Sequence, residues 1–131
     1  PVAGTDNTTA CPAGRPVSVL HIHARNDTHV LYEGGAGPDA FRDPSKVTSF
    51  ASVPATVEKW RVRNNCPARA RRVLDAPGAA CDLYAPCADQ SAVKLCVTET
   101  GGHSWPGGKK PRGEAPSQAL SANDIMWEFF K

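Results

Sequence analysis

The chain has 131 residues, 40% of them hydrophobic and 21% charged, and its 15 basic and 13 acidic side chains leave a formal charge of +2. That length is one domain or a piece of one, and the balance excludes a disordered or fibrous chain. No apolar run approaches the roughly 18 residues that span a bilayer. The basic groups Arg69, Arg71, Arg72 and Lys109, Lys110, Arg112 lack interleaved aromatics, so they read as solvated faces and not as a nucleic-acid surface.

Residues 1–16 are polar and proline-bearing, and read as loop. Val17–His23 is a β-branched run that predicts a buried parallel strand, ended by the turn-forming Ala24-Arg25-Asn26-Asp27. Residues 33–52 predict a long surface excursion. A helix follows over Pro54–Asn64, with Ser52 near its cap and Val53, Val57 and Trp60 facing a sheet. Val93–Glu99 alternates apolar with polar and predicts a second strand, terminated by Gly101 and Gly102. Residues 106–118 form a Pro/Gly/Lys loop. Ser121 and Asp124 then make a capping box ahead of a closing helix, with Ile125–Phe129 and Met126–Phe130 paired at i, i+4. Strand, helix, strand, helix predicts an α/β domain of few parallel strands with flanking helices. Such a sheet leaves its faces and edges poorly covered, so the piece is expected to be incomplete alone.

Five cysteines in so short a chain point to an oxidising compartment, secreted or periplasmic, and no C-x-x-C argues for a zinc ribbon or a thioredoxin-type site. Their odd number leaves at least one free or paired outside this sequence. No signal peptide is visible, so an export signal is expected to have been removed or to lie outside these residues. Asn7-Thr8-Thr9 and Asn26-Asp27-Thr28 read as glycosylation sequons.

Three groups of residues could carry chemistry. Gly102-His103-Ser104-Trp105-Pro106 imitates a G-x-S-x-G nucleophile elbow, but Pro106 stands where the final glycine belongs and no histidine follows Ser104. Asp27 and His103 each follow a predicted strand, and a carboxylate at one strand mouth can orient an imidazole at the next as a general base. From spacing alone, an exposed His103 on a plain glycine turn is the more ordinary reading. His21, His23 and His29 with Asp27 could hold a metal, because His-x-His on a strand places both rings on one face; packing against neighbouring strands is the simpler account, and neither metal nor cofactor is expected.

The segment Arg15–Gly35 resembles the acid-bearing segment of polyhydroxybutyrate depolymerases and related feruloyl and acetylxylan esterases, secreted α/β-hydrolases of the LpqC type. Trp60–Cys66 resembles that family's W-x-x-x-N-G-C helix end. Tyr84–Gly108 resembles its Y-x-x-C, strand, G-G-H-x-W-P-G run, and Ser121–Lys131 its closing helix. The resemblance implies residues 1–131 as the C-terminal portion of an α/β-hydrolase, with Asp27 as catalytic acid and His103 as catalytic histidine. It also implies a Cys66–Cys87 disulfide, with Cys11, Cys81 and Cys96 unassigned.

Tyr32 and Trp105, near the site in sequence, are candidate substrate-lining residues, although ordinary packing would serve each equally well. The family's serine and oxyanion loop precede everything in this chain. The expectation is therefore half of a carboxylic ester hydrolase acting on a polyester or a carbohydrate-linked ester, inactive alone, and completed by an N-terminal half or by self-association. The alternatives are a non-enzymatic binding or assembly remnant, such as an intertwined dimer, and a histidine-cluster metal protein. Ala24-Arg25-Asn26 departs from the family's Gly-Thr-Ala, which puts strain at Ala24 and a stray charge at Arg25 in question.

Overall fold

A computed structural model describes residues 1–12, 14–41, 43–46 and 49–131. Ala13 of the predicted N-terminal loop, and Arg42, Val47 and Thr48 of the predicted excursion, lie outside the described residues. The elements are β1 (Val19–Ala24), α1 (Val53–Arg63), β2 (Arg71–Ala76), β3 (Ala79–Tyr84), β4 (Val93–Thr98) and α2 (Ala122–Phe130), with short 3-10 turns at Pro44–Lys46 and Ala88–Gln90. The strands form one sheet in the order β1-β4-β3-β2. β1 and β4 run parallel, with Val19 beside Val93 and Ala24 beside Thr98. β4–β3 and β3–β2 are antiparallel.

This overturns the expected C-terminal portion of an α/β-hydrolase. Among the described residues, the chain is a small, mostly-sheet domain with a mixed four-stranded sheet, two disulfides and only two α-helices. The segment responsible is Arg71–Tyr84: β2 is charged and largely exposed, and β3 buries only the small side chains Ala79 and Cys81, so neither strand shows a clear apolar alternation in sequence. Pro77-Gly78 is the turn signal that marks them as a hairpin. The hairpin also answers the coverage problem: β3 pairs one side of β4, and at the far edge of the sheet Pro1–Ala3 runs along β1, bonded to Ile22 through both its N–H and its carbonyl.

The two sheet faces carry separate cores. Leu20 and Ile22 of β1 join Cys81, Cys96, Leu120 and Ala122 on the α2 side. Val93 joins Val53, Val57, Cys66 and Cys87 on the α1 side, with Trp60 and Val19 packed at its margin. β1 is buried on both faces, with Leu20 and Ile22 toward α2 and His21 and His23 on the opposite side. The Ser52 hydroxyl caps α1 by accepting from the Ala55 N–H at 3.1 Å, with Pro54 in the first turn. Ser121 caps α2 in the same way through the Asp124 N–H at 3.3 Å.

Disulfides tie each core to its surroundings. Cys66–Cys87 joins the end of α1 to the segment after β3. Cys81–Cys96 crosses directly opposed positions of β3 and β4. Cys11 is exposed and free among the described residues. Two disulfides in so small a domain are consistent with an extracellular location, and no helix among the described residues is long and apolar enough to cross a membrane.

Cys81–Cys96 closes a loop of 15 residues inside the core, which corresponds to about 3 kcal/mol of lost unfolded-chain entropy. Selective reduction of this bond, or the pair Cys81→Ala and Cys96→Ala, should lower the urea midpoint by a corresponding amount. An unchanged midpoint would show that the hairpin is held to β4 by its backbone ladder alone.

Candidate active site

Because β1 and β4 are parallel, the segments leaving their C-terminal ends emerge at the same edge of the sheet. Asp27 lies in the turn after β1. Its Oδ1 accepts the N–H groups of His29 at 2.8 Å and Val30 at 3.0 Å, an Asx-type turn that fixes the carboxylate against its own backbone. Asp27 is only 2% exposed. That burial leaves Oδ2 with a defined partner: His103 Nδ1, 76 residues away in sequence, lies 3.0 Å from it. The imidazole is 38% exposed, and Nδ1 is its only hydrogen-bonding ring atom among the described residues. A carboxylate can only accept, so Nδ1 carries the proton and Nε2 is left as the basic nitrogen.

The loop holding His103 is anchored by contacts that cross the site. Asn26 Oδ1 accepts the Gly102 N–H at 3.0 Å, while Asn26 Nδ2 donates to Glu114 Oε1 at 2.7 Å. The same Glu114 oxygen accepts the Gly101 N–H at 3.2 Å. Gly101 has φ of 111°, and a Cβ there would lie 2.6 Å from the Ser117 nitrogen, so only glycine fits. On the other side, Gly37 runs so close to Thr28 that a Cβ would meet its carbonyl oxygen at 1.9 Å. The turn bearing Asp27 is thus clamped from both flanks.

The remaining histidines sit around the same carboxylate. His23 Nε2 is 2.8 Å from the Val30 carbonyl, which can only accept, so Nε2 carries the proton and Nδ1 is bare. His21 Nε2, 3.3 Å from that Nδ1, therefore donates, and His21 Nδ1 is left buried without a partner. His23 Nε2 also lies 3.5 Å from Asp27 Oδ2. Burial, helped by His23 and the N-terminal ammonium, pushes the His21 pKa down to about 3. Burial lowers His23 as well, against the opposing pull of the Val30 carbonyl and Asp27. The rings predicted as metal ligands on β1 are thus engaged with each other. His29 lies outside that chain and stacks on His103, centroids 4.6 Å apart.

The other sequence candidates scatter. Tyr32 is half-buried beneath the Arg25 guanidinium, 4.7 Å from its ring centroid, and edge-on to His23. Trp105 is 45% exposed and donates its indole N–H to Asn123 at 3.1 Å. It lines a cavity of about 650 Å³ along the free side of β1, with Met126 and Phe130, and neither Tyr32 nor His103 reaches that cavity. The Ser104 hydroxyl donates to the Gly101 carbonyl and is turned to the backbone. Ala24 closes β1 without the left-handed geometry that would strain it, and Arg25 reaches Glu99 instead of crowding Asp27. Asn26 and Glu114 are the site residues that sequence reasoning misses. Asn26 reads there as a turn residue and the head of a sequon, and Glu114 lies in a stretch without pattern.

A histidine held neutral by the fold is protonated in the unfolded chain below about pH 6.5, so the stability it contributes is complete above that value and is lost as pH falls toward 3. The unfolding free energy from urea titrations should therefore drop between pH 6.5 and 4 by about 1.4 kcal/mol per pH unit, and His21→Gln should flatten the slope. A separate expectation concerns Asn26→Ala: amide exchange at Gly102 should accelerate at least tenfold, about the loss of one hydrogen bond, while β1 and β4 remain protected.

Comparison with known proteins finds no matching family model and no matching solved structure. Among curated proteins, feruloyl esterase B of Piromyces equi is 27% identical over 99 residues, which is 76% of this chain. The chain spans only 18% of that relative's length. This similarity is a weak pointer to an esterase-like relationship.

Proposed function

We propose that this chain supplies the histidine and the carboxylate of a serine-type carboxylic ester hydrolase, with the serine provided by sequence beyond these 131 residues. The observation that carries the reading is the Asp27–His103 contact at 3.0 Å, in which one carboxylate oxygen is saturated by backbone and the other is left to the imidazole. In this reading His103 Nε2 removes the proton of a serine hydroxyl as its oxygen attacks the ester carbonyl. The same proton then passes to the departing alkoxide, and the acyl group stays on the serine until water repeats the sequence. Asp27 holds the Nδ1–H and stabilises the imidazolium that forms. Asn26 and Glu114 keep the loop in place.

The substrate class is a polyester or a carbohydrate-linked ester, and the name of the relative favours a feruloylated sugar. An extracellular site of action fits the disulfides.

A second reading has its own observation. The apolar cavity along β1, with Trp105, Met126 and Phe130 on its wall, would suit a binding or assembly module, including one that pairs with itself. A dimer of this chain in sedimentation, combined with inactivity of any longer natural form, would favour it.

The 131-residue chain should show neither labelling by a fluorophosphonate probe nor turnover of a chromogenic ester. Labelling mapped to Ser104 would overturn the proposal. In a chain that also carries the serine, Asp27→Asn and His103→Ala should each lower kcat on a feruloyl or acetyl ester by about 10³–10⁴-fold. Retention of activity in either variant would equally remove the assigned roles.

A further inference from the structure

We propose that Asp27, His29 and His103 together form a binding site for a divalent cation of the zinc class. One donor atom from each residue lies within 4.8 Å of the other two. Two of them, Asp27 Oδ2 and His103 Nδ1, are already 3.0 Å apart, close to the roughly 3.3 Å between neighbouring ligands around a tetrahedral ion with metal–ligand bonds near 2 Å. The third donor, within 4.8 Å of the other two, needs to draw in by at most about 1.5 Å to reach that spacing. His29 is half-buried and its imidazole makes no hydrogen bond among the described residues, so no bond opposes the movement.

Its Nδ1 is closed to solvent and unpartnered, which is a cost that coordination or a small ring rotation would relieve. Two imidazoles and one carboxylate suit zinc better than magnesium or calcium, which prefer oxygen donors. Three protein ligands also leave a fourth position for water. His21 and His23 are not part of this site, because their facing nitrogens are spent on each other and on Val30.

Coordination through Nδ1 moves the proton of a neutral His103 ring to Nε2, with no net proton release. On the esterase reading above, that step would remove the base, so the ion would act as an inhibitor. The binding itself does not depend on that reading.

The test uses the 131-residue chain, stripped with chelator and carrying Cys11→Ser so that the exposed thiol cannot compete. Calorimetric titration with zinc chloride at pH 7.5 should give one site with a dissociation constant in the micromolar range. His29→Phe keeps an aromatic ring against His103 but removes the donor, and should weaken binding at least tenfold without changing the circular dichroism spectrum. His103→Ala, at a half-exposed position, should do the same and serves if the first variant folds poorly. Absence of binding, or binding that survives either substitution in a folded variant, overturns the site. Ester turnover is not read in this experiment, so its failure leaves the esterase proposal untouched.

Discussion

In the parallel ladder that joins β1 to β4, His23 lies beside Val97 and Ala24 beside Thr98, so the two strands end level with each other. Asp27 and His103 follow those ends within a few residues, and their contact at 3.0 Å follows from the register. A shift by one residue would turn His21 and His23 toward the α2 face and would leave the two segments out of step. Both cores hold that register. Leu20 and Ile22 lock β1 from one side, and Val93 against Val53 and Val57 locks β4 from the other.

Around this frame, the buried histidines and Asp27 share one neighbourhood. All four histidines of the chain lie within a chain of contacts that runs from His21 through His23 and Asp27 to His103 and His29. Buried polar groups are tolerated where they find partners; His23 and Asp27 find them in each other's neighbours and the Val30 peptide, while the Nδ1 atoms of His21 and His29 stay unpartnered. The consequence is a buried carboxylate with one oxygen held by backbone N–H groups and the other facing His103. On the esterase reading proposed above, that arrangement would hold the His103 imidazole in one tautomer.

The sequence made some of this legible. The strand at Val17–His23, the helix over Pro54–Asn64 and the capped closing helix were readable because apolar periodicity and cap residues are local signals. The β2–β3 hairpin was not, because Arg71, Arg72, Asp75 and Asp82 occupy a half-exposed edge where cross-strand charge pairing, as between Arg72 and Asp82 at 2.6 Å, replaces an apolar face. That omission led directly to the wrong fold class. Asp27 and His103 could be nominated from residue type and resemblance. Asn26 and Glu114 could not, since their value lies in contacts spanning 88 residues that no local pattern encodes. The reach of His29 to His103 was equally invisible, because it depends on how the turn after β1 folds back.

The engagement of Asn26 at both ends of its amide has a practical side. Its carboxamide oxygen holds the Gly102 N–H and its nitrogen holds Glu114, yet Asn26-Asp27-Thr28 is also an acceptor triplet for N-linked sugar. A eukaryotic secretory host modifies such triplets on the emerging chain, before these contacts exist. Sugar placed there would enter the fold at the hinge between three loops, beside the very carboxylate they position. Material from such a host would then separate by mass according to which of Asn7 and Asn26 carries sugar, and the forms modified at Asn26 would carry the disturbed loop contacts. Bacterial periplasmic production avoids that division while still letting both disulfides close.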